Sequence, residues 1–252
     1  MAITVAISNQ KGGCGKTTTS IELSNNLAVN KIKTLLIDFD PQHSSTNALQ
    51  VRLQRDTTTA YEFVTQHAEA RVKISEYLDF IPSANTLQNI TSMNDLSSPE
   101  MLREALMNIE HEYDVILIDC PPLITQLTHN CYTAADHLLI PIYPGTFSIE
   151  GLAQLKEELV RIRKMYNPDL DILGFFLTNV DKNTNAEKDL INDAAYCEEH
   201  LESKRFDTII YHSTCVNDAQ KARKPLAIFR PKAKVTIAYE QLINEIKDRL
   251  YI

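Results

Sequence analysis

Short apolar runs of strand length alternate along this chain with longer stretches of helical period. The runs at 3–8 (ITVAIS), 34–38 (TLLID), 77–82 (YLDFIP), 114–119 (DVILID), 137–142 (HLLIPI), 172–180 (ILGFFLTNV) and 207–211 (DTIIY) predict seven strands. Helical patterns fill the gaps, over 16–30 and most clearly over 148–166, 186–203 and 235–252. Strands that are apolar throughout, rather than alternating, are buried on both faces. The pattern therefore predicts an α/β fold, a mostly parallel twisted sheet of about seven or eight strands with helices on both faces. Residues 50–76 carry the least readable pattern. In such sheets ligands sit at the carboxyl ends of the strands.

Composition adds bounds. The 252 residues are 44% hydrophobic and 23% charged, enough to bury a sizeable core. With no linker-like stretch, repeat or low-complexity segment, residues 1–252 are expected to form a single domain. No apolar run approaches the roughly 20 residues of a membrane span, and the N-terminus lacks the basic region and long apolar core of a secretion signal. Cys14, Cys120, Cys131, Cys197 and Cys215 are scattered and odd in number, which reads as free thiols in a reducing compartment. A net charge of −8 argues against an all-over nucleic-acid coat but leaves room for a local basic patch.

The segment after the first strand carries chemistry. It reads NQKGGCGKTTTS over 9–20. Gly12, Gly13 and Gly15 let backbone N–H groups turn inward around an anion, and the following helix adds its positive dipole end. Lys16 is placed to reach the β- and γ-phosphates of a nucleotide, and the Thr17 hydroxyl to hold Mg²⁺. The common spacing G-x-x-x-x-G-K-[ST] fails here, because its first glycine falls on Gln10. What stands instead is K-G-G-x-G-K-T-T, with a second lysine, Lys11. Candidate nucleotide contacts are Lys11, Gly12, Gly13, Cys14, Gly15, Lys16, Thr17 and Thr18. Cys14 fills the variable position; a thiol beside a helix start can have a lowered pKa and be redox-sensitive, against the plainer reading of an inert loop residue. Two further strand ends carry carboxylates: Asp38, with Asp40 just beyond it, and Asp119. Acids at such points can orient the water shell of Mg²⁺.

KGGCGKTT, DFDPQ, IDCPP and LLIPI, in this order, resemble the ParA/MinD group of deviant Walker-type ATPases, and the resemblance runs almost end to end. DPQ and TAADHLLIPI followed by SIEGLAQL are closer to the ParA (Soj-like) partition branch. The resemblance implies an ATPase using ATP and Mg²⁺. It implies that Lys11 is the signature lysine that reaches the partner's nucleotide in an ATP-bound homodimer, so that Lys11, Lys16 and Asp40 form the catalytic set. Asp40 is implied as the water-positioning acid of the first switch, Asp119 as the Walker B acid, and Thr17, Asp40 and Asp119 as the metal set. Residues 120–128 would be the second switch. Asp38 is read as a structural or metal-shell residue. Asn179 is read either as approaching the adenine or as capping a turn.

Relatives of this kind bind non-specific DNA as ATP dimers and are stimulated by a ParB-like partner, which implies a cytoplasmic, nucleoid-associated protein moving a plasmid, a chromosome or a protein assembly. Lys204, Arg205, Lys221, Arg223, Lys224, Arg230, Lys232 and Lys234 stand against only Asp207 and Asp218 in the same stretch, and form the candidate DNA patch. This stretch departs from the family: 209–225 reads IIYHSTCVNDAQKARKP, with His212 and Cys215 where relatives have arginines. The first strand begins at Ile3, so no operator-binding helix-turn-helix is expected. A MinD-like membrane-surface switch is the second reading. The last helix is amphipathic, but the chain ends at KDRLYI without a targeting tail, so the helix is expected to pack on the sheet and no stable membrane association is expected. A third reading, an iron–sulfur carrier, needs cysteines that meet across a dimer, and only Cys120 and Cys131 are candidates.

Overall fold

A computed structural model of the chain describes residues 1–92, 98–143, 149–181 and 186–252. In order, the elements are β1 (Ile3–Ile7), α1 (Lys16–Val29), β2 (Thr34–Asp38), α2 (Ser44–Ala48), α3 (Ala60–Gln66), β3 (Val72–Lys73), β4 (Leu78–Ile81), α4 (Met101–Met107), β5 (Val115–Asp119), α5 (Gln126–Ala134), β6 (His137–Ile142), α6 (Ile149–Met165), β7 (Asp171–Val180), α7 (Ala186–Leu201), β8 (Ile210–Tyr211), α8 (Thr214–Ala222), α9 (Leu226–Phe229) and α10 (Lys234–Leu250). The strands form one sheet in the order β3-β4-β2-β5-β1-β6-β7-β8. Every pairing is parallel except β3 with β4.

Uninterrupted apolar strands need cover on both faces, and two separate cores supply it. Ala6, Ile116, Ile118 and Leu138 face the side covered by α3 to α7. Val5, Ile7, Leu117 and Leu139 face α1, α8, α9 and α10. The last helix lays Leu242, Ile243 and Ile246 on this second face, fully buried. Each such side chain contributes roughly 1.5–3 kcal/mol on burial.

Three readings are corrected or extended. The expected strand at 207–211 shrinks to Ile210–Tyr211, because the N–H groups of Asp207 and Thr208 are taken by the Glu245 carboxylate of α10 (2.6 and 3.0 Å) instead of by the sheet. The eighth strand is Val72–Lys73, a two-residue antiparallel edge too short to leave a pattern. The stretch 50–76 also holds α3, opened by a reciprocal cap in which the Thr59 N–H donates to Glu62 (2.9 Å). The helix expected at 148–166 is found as Ile149–Met165; Ser148 lies outside the described residues.

The far end of α10 is fastened to β7 at one special position. Leu138 pairs with Ile172 and Leu139 with Gly174, so Leu173 is an extra residue and β7 bulges there. Into the bulge comes Arg249, donating to the carbonyls of Leu173 (2.9 Å), Lys204 (3.0 Å) and Arg205 (2.8 Å) and lying 3.7 Å from the centre of the Phe206 ring. Gly174 has φ +155°, and a Cβ there would lie 2.1 Å from Arg249 Nη1 and 2.6 Å from Phe206 Cε2. Gly174→Ala is therefore expected to lower the free energy of unfolding by about 2–3 kcal/mol, read from the denaturant midpoint. An unchanged midpoint would show that this clamp does not hold α10.

Candidate active site

The loop between β1 and α1 is anchored before it turns. The Ser8 N–H donates to Leu139 O (3.1 Å), and Asn9 Nδ2 donates to Pro141 O (2.6 Å), so the loop hangs from β6. Asn9 Oδ1 in turn accepts the Lys11 N–H (3.0 Å). Gly15, with φ +86°, caps α1 in a left-handed conformation that a side chain disfavours, and a Cβ there would meet Thr178 Oγ1 at 3.2 Å. The buried Lys16 ammonium donates to Asn9 O (3.0 Å) and Lys11 O (3.1 Å), which holds it inside the loop. Lys11 is exposed and is absent from the cavity wall that Gly12, Gly13, Gly15, Lys16, Thr17 and Thr18 line. The two lysines are thus separated, one inside and one outside.

Of the two readings of Cys14, the structure supports the inert loop residue. Its thiol is buried against Lys11 O (3.1 Å), and burial raises its pKa more than neighbouring Lys16 lowers it. Cys120 and Cys131 are also fully buried, so neither stands on a surface where a second chain could meet it. This burial removes the ground for the iron–sulfur reading.

The acids converge beneath the loop. Because β2 and β5 pair in parallel, Asp38 stands directly opposite Asp119, and Asp119 opposite Ile7 at the end of β1. Asp38 Oδ2 accepts both the N–H (2.8 Å) and the hydroxyl (2.7 Å) of Thr46 on α2, and Oδ1 accepts the Asp40 N–H (3.2 Å). Asp119 Oδ2 accepts the Ser45 hydroxyl (2.6 Å), while Oδ1 is buried without a hydrogen-bond partner. Burial pushes both carboxyls above the usual range, and for Asp38 the charge of Asp119 adds to it. Against this, the Ser45 and Thr17 hydroxyls and the Lys16 ammonium favour the charged form of Asp119. Asp40 is half-buried on the cavity wall, with Oδ1 holding the Gln42 N–H (2.9 Å). Ser45 and Thr46 were not singled out from sequence. The available signal was the Ser-Ser-Thr run that follows Asp-Pro-Gln-His.

From the loop a cavity of about 780 Å³ runs to the ends of β7 and β8, where Thr178, Asn179, Ile210, Tyr211, His212 and Ser213 line it. Thr178 pairs with Ile210 and Val180 with Tyr211, so Asn179 is the unpaired residue of a bulge, with φ +56°. Asn is one of the few residues that tolerates this conformation, and a bulge beside a cavity re-aims its side chain.

The basic residues divide. Lys221, Arg223, Lys224, Arg230, Lys232 and Lys234 are exposed along the segment from the end of α8 to the start of α10. Lys204 and Arg205 lie apart, around a hollow shared with Glu198, Glu202 and Asp207, and Arg205 is bridged to Phe175 in the middle of β7. The larger group is tied to α1: Gln220 Nε2 donates to Thr18 Oγ1 (3.1 Å), and Glu22 accepts the Leu226 N–H (2.8 Å).

A glycine loop between β1 and α1, with carboxylates at the ends of β2 and β5, defines a P-loop nucleotide hydrolase with a deviant Walker A loop. A family model described as AAA domain matches residues 2–172. The chain is 32% identical to the sporulation initiation inhibitor protein Soj of Bacillus subtilis (strain 168), over 96% of this chain and 97% of that protein. It is 34% identical to the chromosome partitioning protein ParA of Caulobacter vibrioides (strain NA1000 / CB15N), over 97% of this chain and 94% of that protein. Among solved structures it is similar to cobyrinic acid a,c-diamide synthase from Mycobacterium smegmatis with bound ADP and magnesium, with a TM-score of 0.82 and 26% identity over 97% of this chain and 93% of that chain. The chain belongs to the ParA/Soj family of partition ATPases. Among the described residues, no helix is long and apolar enough to cross a membrane.

The buried Glu22 yields a pH prediction. Burial pushes its carboxyl up to about 7, with the N–H groups of Leu226 and Ala227 opposing the shift. A carboxyl whose folded pKa is raised stabilises the fold most below its unfolded pKa, near 4.5, and that stabilisation is lost as pH rises through about 7. Glu22→Gln keeps an oxygen for Leu226 but cannot ionise. It is expected to gain stability over the parent near pH 8, by at most about 3 kcal/mol, and little near pH 5. Denaturation curves at the two pH values check this; an equal effect at both would contradict it.

Proposed function

We propose that this chain binds ATP with Mg²⁺ in the cavity between the glycine loop and the β7 bulge, dimerises on ATP, and in that state holds non-specific DNA. The whole chain, residues 1–252, acts as one ATPase domain in this reading. Hydrolysis is stimulated by a ParB-like partner, and the cycle moves DNA or another cargo. The observation that carries the proposal is the separation of the two lysines, Lys16 buried within the loop and Lys11 exposed outside the cavity wall.

The residues present fit the nucleotide and its metal. Gly12 and Gly13 have nothing within 4 Å of where a Cβ would stand, leaving an open cradle for phosphate oxygens. Asp119 Oδ1 is a buried oxygen in want of a partner, beside the Thr17 hydroxyl. Thr17 and Asp119 would hold Mg²⁺, with Asp40 at the edge of the same shell, and Lys16 and the backbone of residues 12–18 would hold the phosphates. Bound Mg²⁺ supplies neutralisation of the phosphate charge. Asp40, fixed by the Gln42 N–H, orients the attacking water. Lys11 delivers a cation to the partner's phosphates, where negative charge redistributes as the bond breaks. Asn179 stands at the base end of the cavity.

For DNA, six exposed basic residues from Lys221 to Lys234 support a backbone-binding surface that needs no sequence readout. Their ties to α1 through Thr18 and Glu22 connect that surface to the helix that starts at the phosphate loop. Lys204 and Arg205 are left out of it, because acidic residues surround them. The membrane-surface reading has less support, since the apolar face of α10 is already buried on the sheet.

Lys11→Ala tests the proposal. With ATP and Mg²⁺ the parent is expected to sediment as a dimer and to shift plasmid DNA, and to do neither with ADP. The variant should bind ATP as a monomer to within about threefold of the parent, yet neither dimerise nor shift DNA. Dimers of the variant on ATP would remove Lys11 from the interface, and a nucleotide-independent DNA shift by the parent would overturn the switch.

A further inference from the structure

We propose that His212 is a positioning residue for nucleobase choice, locking the Asn179 carboxamide in the one orientation that accepts adenine and rejects guanine. The inference rests on the proposed nucleotide reading and goes beyond it by assigning selectivity to a residue at which this chain departs from its family's usual pattern.

The geometry is specific. His212 Nδ1 lies 2.7 Å from Asn179 Oδ1. With Oδ1 facing the ring, the imidazole must be the donor, which requires the tautomer protonated at Nδ1. Both residues are tied to the sheet edge. The His212 N–H donates to Val180 O (2.9 Å), and Asn179 is the extra residue of the β7–β8 bulge. Thr178, its neighbour in sequence, stands against Gly15 of the phosphate loop, so the pair belongs to the same cavity as the phosphate cradle.

A carboxamide can turn over by half a rotation and exchange its donor for its acceptor at almost no cost. Here the turn would set the Nδ2 hydrogens against the His212 Nδ1–H, donor against donor, so it also requires the ring proton to move to Nε2. What remains for a ligand is the second lone pair of Oδ1 beside the Nδ2 donors. That acceptor–donor pair matches adenine, whose N6 amino group donates and whose N7 accepts. Guanine presents two acceptors, O6 and N7, and its O6 would face Oδ1. Without His212 the amide is free to turn toward guanine.

The test is equilibrium binding of ATP and GTP to the full chain with Mg²⁺, alongside ¹⁵N spectra of the histidine rings without nucleotide. The parent is expected to prefer ATP and to show His212 protonated at Nδ1. His212→Ala should cut the ATP-to-GTP preference by about threefold to tenfold, the range for one partly exposed hydrogen bond. His212→Gln, which keeps an N–H donor, should restore most of it. A merely structural histidine would weaken both nucleotides alike. An unchanged preference in His212→Ala, a parent that binds ATP and GTP equally, or a ring protonated only at Nε2 would each overturn the lock while leaving nucleotide binding standing. Binding of neither nucleotide by the parent would instead overturn the nucleotide reading itself.

Discussion

The parallel pairing of β2 with β5 sets Asp38 directly against Asp119, and the site is organised around the need to keep two buried carboxyls side by side. Burial raises the pKa of both, and the charge of Asp119 raises that of Asp38 further. Asp38 is supported by three donors, two from Thr46 and one from Asp40, which fixes α2 and the turn after β2 against the sheet. Asp119 has the Ser45 hydroxyl on Oδ2, the Thr17 hydroxyl close by, and no hydrogen-bond partner on Oδ1. A buried acceptor left without a partner costs about 1–3 kcal/mol. In the proposed reading a divalent cation beside Thr17 relieves both the missing contact and the charge.

The same sheet edge logic extends to the other end of the cavity. In the proposed reading, strands β1, β2 and β5 deliver the phosphate and metal side, while the frayed pairing of β7 with β8 delivers the base side. Short β8 is a consequence of Glu245 on α10 taking the N–H groups that would have extended it. The last helix therefore shapes the cavity indirectly, and its Tyr239 lines the wall as well. Helix α1 joins the phosphate loop to the basic segment through Thr18 and Glu22, so a change at the loop has a short mechanical route to the proposed DNA surface.

Much of this was legible in the sequence where the determinants are local. Strands 34–38 and 137–142 are found at the positions their apolar runs predict, and α1 begins at Lys16 as expected. The carboxylates at strand ends were legible too, because a charge that ends an apolar run marks the edge of the sheet. The capping box that opens α3 was equally local, Thr59-x-x-Glu62, and went unread inside a stretch without period. Other features could not be read, since their causes lie far along the chain. Gly174 requires a small residue because Arg249 arrives there from the last helix. Which of the two readings of Cys14 holds is decided only when the folded loop buries it, and the basic stretch divides because Arg205 is drawn to the middle of β7. Ser45 and Thr46 become partners of Asp119 and Asp38 only when the turn after β2 closes.

The claim at the centre is that the unsatisfied Asp119 oxygen is the protein's share of a metal-assisted nucleotide site. The direct measurement is the affinity for ATP with and without Mg²⁺, by calorimetry, for the parent and for Asp119→Asn. The account predicts that Mg²⁺ tightens ATP binding by about tenfold or more in the parent and by about threefold or less in the variant, with metal-free affinity kept or improved as a buried negative charge is removed. An equal gain from Mg²⁺ in both proteins would contradict it.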